Sequence, residues 1–164
     1  MSRYQKLAIT AVVTTFVMVV IGVIVRSTGS GMGCPDWPLC HGQVIPPMGD
    51  TAAWLESIHR WWGVLIGFVV LALVIDAFRS RRDTRSLVVG SVVALLIVGF
   101  QAWLGKVTVE MSNSAESVTI HLATALILLA VFLFLAVRAR YPARLSVHAT
   151  SLRVPLLVAF SAMS

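Results

Sequence analysis

The stretch Leu7-Ala-Ile-Thr-Ala-Val-Val-Thr-Thr-Phe-Val-Met-Val-Val-Ile-Gly-Val-Ile-Val25 runs for nineteen residues without a charge. A helix crossing the hydrocarbon core of a bilayer needs roughly 20 apolar residues, so this segment alone takes the chain out of water. Working outward, residues 87–104 and 118–137 are interrupted only by Gln101 and His121. A fourth run, Trp61 to Ile75, reaches spanning length with its flanks, residues 58–78. Four helices that satisfy their own backbone hydrogen bonds in lipid are therefore expected. The fold class is all-α integral membrane: a four-helix transmembrane bundle with the start of a fifth helix. Arg3 and Lys6 give the first span the lead-in of a secretory signal. It exceeds the usual signal core, however, and no small-residue cleavage site follows, so it reads as a retained helix.

Composition agrees. Of 164 residues, 58% are hydrophobic and 12% charged, against about 45–50% and about 25% in ordinary globular domains. That surplus excludes one small soluble core and excludes intrinsic disorder. Two cysteines are too few for a disulfide-rich scaffold.

The formal charge of +6 would suggest nucleic acid in a soluble protein, but here it follows the spans. Arg3, Lys6, Arg79, Arg81, Arg82, Arg85, Arg138, Arg140, Arg144 and Arg153 fall on one side; Arg26, Arg60 and Lys106, offset by five carboxylates, fall on the other. The positive-inside rule then puts the N-terminus in the cytoplasm and the loop between the first two helices on the outer face of the cell membrane. Nucleic-acid binding drops out. Residues 1–137 read as the four-helix bundle, 138–153 as a basic cytoplasmic loop, and 154–164 as the start of a truncated fifth helix or a segment lying at the interface. No internal repeat is evident.

The outer loop, Arg26-Ser-Thr-Gly-Ser-Gly-Met-Gly-Cys-Pro-Asp-Trp-Pro-Leu-Cys-His-Gly-Gln-Val-Ile-Pro-Pro47, mixes glycines with backbone-fixing prolines, which makes a shaped loop of limited flexibility. Cys34 and Cys40 lie on the face where disulfides persist, and a bond between them is the first reading. It is either a structural staple or a redox-active pair that exchanges with a partner thiol. Zinc fits less well, because the spacing exceeds the usual two to four and no second ligand pair follows.

His59 begins the second span and His121 lies near the start of the fourth. Both helices run from outside to inside, so the imidazoles sit at similar depth, and an ionisable residue there is a functional hypothesis by default. Gly63 and Gly67 follow His59 at one-turn spacing and Ala125 follows His121, clearing room for a flat macrocycle held between two axial imidazoles. The same glycines also suit plain helix packing. Glu56, three residues before His59, can orient the imidazole, accept a proton, act on a substrate, or merely favour the first turn of its helix. Arg26 and Arg60, at the same level, can pair with haem propionates or snorkel to headgroups. Trp54, Trp61 and Trp62 read first as interfacial anchors and second as pocket walls. His41 lies in the loop within reach of a ligand, and His148 in the basic tail reads as solvated.

These residues resemble a known family. Val25-Arg26-Ser-Thr-Gly-Ser-Gly-Met-Gly-Cys34-Pro-Asp-Trp-Pro-Leu-Cys40, Ile45-Pro46-Pro47, and Trp54-Leu-Glu56-Ser-Ile-His59-Arg60 are similar to the N-terminal half of haem A synthase. Gln101-Ala-Trp-Leu-Gly105-Lys-Val-Thr-Val109 and His121-Leu-Ala fit as well, so the likeness spans essentially the whole chain. Without a mitochondrial presequence before helix one, a bacterial-type member is expected. The resemblance implies an oxidoreductase that converts haem O to haem A by oxidising a ring methyl to formyl, for cytochrome oxidase biogenesis. It implies His59 and His121 as axial ligands of the haem iron, Glu56 as the catalytic carboxylate, and Cys34 with Cys40 as a disulfide. It further implies haem b in a second bundle or partner subunit, with haem O synthase, an electron-transfer partner and a homo-oligomer as candidate associates. This chain has one bundle where the usual family has two, so a fragment and a half-size homodimeric enzyme both fit. The residues read without the resemblance also admit a bis-histidine membrane b-type cytochrome that only transfers electrons, or a scaffold without haem. No nucleotide or flavin motif is present.

Overall fold

The computed structural model describes residues 1–141. Residues 142–164, with Arg144, His148, Arg153 and the expected fifth helix, lie outside the described residues. Helix α1 spans Arg3–Ser27, α2 Thr51–Ser80, α3 Arg85–Glu110 and α4 Ala115–Arg138, with a single 3-10 turn at Ser30–Met32 in the first loop. All four helices are long and apolar enough to cross a membrane. The chain is an all-α, multi-pass membrane protein.

Every helix overruns its apolar stretch, and at α1, α2 and α4 the capping residue lies outside that stretch. Ser2 accepts a hydrogen bond from Gln5 N, Asp50 from Ala53 N and Ser114 from Ser117 N, each satisfying one of the free N–H groups of a first turn. The largest difference is at α2, which starts seven residues before the expected Ile58. Glu56 therefore sits in the second turn, and no acidic residue occupies the first. The macrodipole role considered for Glu56 is overturned; the Asp50 cap fills it.

Neighbouring helices in the chain pack on one another, and α1 also packs on α4. This closes an up-and-down ring in which α2 and α4, the histidine helices, occupy opposite corners. The end carrying the cysteine loop is termed outer. The main core lies at the other end: Tyr4, Ala8 and Ala11 from α1, Val70, Leu73 and Ala77 from α2, Leu87 and Ala94 from α3, Phe132 and Leu135 from α4. Polar groups there are paired. Tyr4 Oη lies 2.7 Å from Ser91 Oγ, and Asp76 accepts from Ser80 Oγ at 2.9 Å and meets Arg3 Nε at 3.5 Å.

Candidate functional site

Cys34 and Cys40 are joined in a disulfide with Cα atoms 4.6 Å apart, and both are buried. The loop docks on the start of α2 at Gly33, where a Cβ would fall 2.4 Å from the carbonyl carbon of Ala52. Only glycine fits so close to another backbone. Asp36 ties the far side of the loop, accepting from His41 N at 2.6 Å and Gly42 N at 2.8 Å. The Gly42 N–H, then the His41 N–H, with the Arg60 charge as a smaller contribution, hold the Asp36 carboxyl below its ordinary range. His41 Nε2 donates to Gly33 O at 2.9 Å, so this histidine is engaged by the loop itself.

Beneath the loop, Glu56 and Arg60 form an ion pair one helical turn apart, Oε1 to Nη2 2.5 Å, with side chains only 5% and 13% exposed. Glu56 Oε2 accepts from Cys34 N at 2.9 Å. Arg60 donates from Nη1 to Asp36 O at 2.6 Å and Leu39 O at 2.5 Å, and from Nη2 to Cys34 O at 3.0 Å. A planar fork of five N–H donors suits such a cluster of acceptors. The structure thus commits Arg60 to the loop, where the sequence offered propionates or headgroups. Arg26 is exposed, and its Nη1 donates to Asn113 O at 3.1 Å in the α3–α4 connection. Asn113 Nδ2 in turn donates to Gly31 O at 2.6 Å, joining the two outer connections.

Deeper in, His59 is the ninth residue of α2 and His121 the seventh of α4. At 1.5 Å per residue they lie about 12 Å and about 9 Å from the outer helix ends. Both are deeper than the apolar runs suggested, and still at similar depth. Neither imidazole makes a hydrogen bond within the described residues, and both Nδ1 atoms are buried without a partner. A buried polar atom left unpaired is costly and calls for an explanation. Thr15 Oγ1, further down α1, is likewise buried and unpartnered.

Space around the rings comes largely from residues that sequence reading missed. A Cβ on Gly22 of α1 would lie 3.2 Å from His59 Cε1, and one on Gly105 of α3 would lie 3.7 Å from His121 Cε1. Of the glycines singled out from the sequence, Gly63 faces Met18 of α1 and Gly67 opens on empty space. A signal for the missed pair existed, since an isolated glycine in a helical run usually has a packing or functional reason. Two unpaired imidazoles at matched depth, with glycine clearance around them, are a donor set that fits axial ligation of haem iron. Among the described residues no group of three or more metal-binding side chains competes with that arrangement. Trp62 differs from its expected interfacial role: its Nε1 donates to Thr14 O at 2.8 Å, bonding α2 to α1. Trp54 packs edge-on against Trp61 at 6.0 Å.

Comparison with known proteins points the same way. The protein called "Heme A synthase" in Bacillus pumilus is 37% identical over 138 residues, covering 79% of this chain and 44% of that protein. Proteins of the same name from Halalkalibacterium halodurans and Shewanella oneidensis are 33% and 31% identical, covering 80% and 86% of this chain and 46% and 47% of their own lengths. The chain spans about half the length of the curated relatives it matches. A family profile described as cytochrome oxidase assembly protein matches residues 5–164, and with that match the chain belongs to the cytochrome oxidase assembly protein family.

Proposed function

We propose that the chain is the substrate-haem bundle of a haem A synthase, a cell-membrane oxidoreductase that oxidises a ring methyl of haem O to formyl for cytochrome oxidase biogenesis. The observation that carries this reading is the pair His59 and His121, unpaired and at matched depth on opposite helices, in a chain of this family. The two imidazoles would hold the haem iron. Haem would supply the redox centre and the electron-transfer partner would take up the electrons lost by the methyl, while the protein supplies orientation and electrostatics. A site among membrane helices suits haem O, whose farnesyl tail would be costly to expose to water.

Glu56 takes the catalytic role. Its two oxygens accept from Arg60 and from Cys34 N, so a proton taken up at either oxygen weakens a bond that holds the cysteine loop. Loop order and proton transfer are thereby linked. Arg26, exposed at the same level, is the propionate contact that remains once Arg60 is engaged. The outer loop faces the oxidising side, where its disulfide persists, and the N-terminus lies in the cytoplasm. Haem b in a second bundle or partner subunit, an electron-transfer partner, haem O synthase and a second copy of the chain complete the working assembly.

The test is spectroscopic first. The purified protein is expected to show low-spin haem, with His59→Ala and His121→Ala each losing it; full haem occupancy in both variants would overturn the axial assignment. In membranes that also make haem O, the assembled enzyme is expected to yield haem A, and Glu56→Ala to abolish it while haem stays bound. Haem without any conversion in the unsubstituted enzyme would leave an electron-transfer cytochrome.

A further inference from the structure

An axial histidine usually fixes its ring plane through a hydrogen bond from the nitrogen that does not meet the metal, commonly to a carboxylate or carbonyl. Here neither His59 nor His121 has such an acceptor among the described residues, and both Nδ1 atoms are buried and unpartnered. Beside each ring, a glycine of the preceding helix leaves open the space that a side chain would fill. Gly22 of α1 faces the Cε1 edge of His59, and Gly105 of α3 the Cε1 edge of His121. Each glycine stands five residues before the outer end of its helix, so the two helix pairs repeat one arrangement.

We propose that Gly22 is a positioning residue: the space left by its missing side chain lets the His59 imidazole keep its plane, whereas the wider space at Gly105 leaves His121 unconstrained. The proposal rests on the haem reading of His59 and His121. Its physical content lies in the distances. A methyl on Gly22 would come 3.2 Å from His59 Cε1 and 3.8 Å from Nδ1. The first value is closer than ordinary carbon–carbon contact at about 3.5–4.0 Å. The methyl is fixed to the helix backbone, so the imidazole must tilt. A methyl on Gly105 would come no closer than 3.7 Å to His121 Cε1, which is ordinary contact, and the ring stays where it is. Tight packing converts so small a difference into a discrete change of ring orientation. Because glycine weakens a helix relative to alanine, the openness at Gly22 is retained at a cost to α1, which the seat explains.

Low-temperature electron paramagnetic resonance of the oxidised haem protein reads the angle between two axial imidazole planes directly. Gly22→Ala is expected to shift the largest g value and to move the reduction potential, at unchanged haem content. Gly105→Ala is expected to leave both at their original values. An unmoved spectrum in Gly22→Ala, or an equal shift in Gly105→Ala, overturns the proposal. Absence of low-spin haem from the unsubstituted protein would instead sink the haem reading beneath it. If Gly22→Ala is helical by circular dichroism but haem-free while Gly105→Ala keeps its haem, the seat is supported, since the tilt then exceeds what ligation tolerates. If Gly22→Ala fails to fold, adding His59→Gly removes the ring that the methyl meets. Recovery of the fold in that double variant supports the contact, and continued failure overturns it.

Discussion

The two halves of the bundle are built on opposite terms. Toward the inner end, Tyr4, Leu73, Leu87, Phe132 and Leu135 are fully buried, and the tyrosine hydroxyl and the Asp76 carboxylate both have partners. Toward the outer end, the helical glycines Gly22, Gly63 and Gly105 stand in place of bulk, and two buried imidazole nitrogens have no partner among the described residues. Lipid tails are as apolar as leucine, so helix association in a membrane depends on packing and interhelical hydrogen bonds. The inner half supplies both. The outer half gives up much of each around its histidines, and recovers order through a polar cap of disulfide, Glu56, Arg60 and Asp36. Dense packing and open space are thus separated along the membrane normal, which makes the separation testable by substitution on each side.

The largest effect is expected at the cap. Arg60→Gln removes a guanidinium bound to three loop carbonyls and to Glu56, and leaves a buried carboxylate without its counter-charge. Removing one partner of a buried pair costs about 3–5 kcal/mol. Loss on that scale releases the loop from α2. Reduction of the Cys34–Cys40 bond, followed by thiol labelling, should then become at least about tenfold faster, a modest fraction of what such an energy allows. Under the proposed function, haem A formation by the assembled enzyme should fall to background while helical circular dichroism is retained. Unchanged reduction kinetics would show that the loop docks without the ion pair, and the contrast between the halves would lose its outer term.

That contrast was only half legible in the sequence. The four spans follow from runs of uncharged residues, because the bilayer imposes their length. The cysteine loop follows from its glycine and proline content, and the similar depth of His59 and His121 follows from counting along two helices that run in the same direction. What periodicity cannot supply is the partner across a helix interface. Gly22 meets His59, Arg26 meets Asn113 and Trp62 meets Thr14 through packing between segments far apart in the chain. Arg60 is the clearest case: its position at the outer level was readable, but its choice of loop carbonyls depends on how the chain from Cys34 to Leu39 folds back over α2. The early start of α2 had a local signal in the Asp50 cap, but Glu56, Ser57, His59 and Arg60 interrupt the apolar run between that cap and Trp61.

A smaller effect is expected from the inner half. Phe132 is fully buried in the α4 face of the main core. Phe132→Ala in an aqueous core costs about 3–5 kcal/mol; in lipid the transfer part is muted, because the ring leaves water in either state, while the lost packing contacts remain. The loss is therefore expected below that range, seen as a lower midpoint of thermal unfolding in detergent, with the haem spectrum at normal position and intensity. A shifted spectrum would mean that the inner core transmits strain to the histidines and that the halves are not separable.

The smallest effect concerns Asp36, at the rim of the cap. Its carboxylate accepts the backbone N–H groups of Gly42 and His41, and these bonds, that to Gly42 foremost, lower its protonation range. A carboxyl lowered in the folded loop contributes order at and above the ordinary carboxylate range, near pH 4, and that contribution is lost as pH falls through the lowered value. Neutral pH therefore leaves the loop intact, and only acid weakens it. Amide hydrogen exchange at His41 and Gly42, corrected for the intrinsic pH dependence of exchange, should lose protection below about pH 4. Asp36→Asn keeps one acceptor oxygen but cannot titrate. It should show somewhat lower protection at neutral pH and a flat profile into acid. Acid sensitivity that persists in Asp36→Asn would assign it to another group of the cap, with Glu56, the other carboxylate bonded to this loop, the next to substitute.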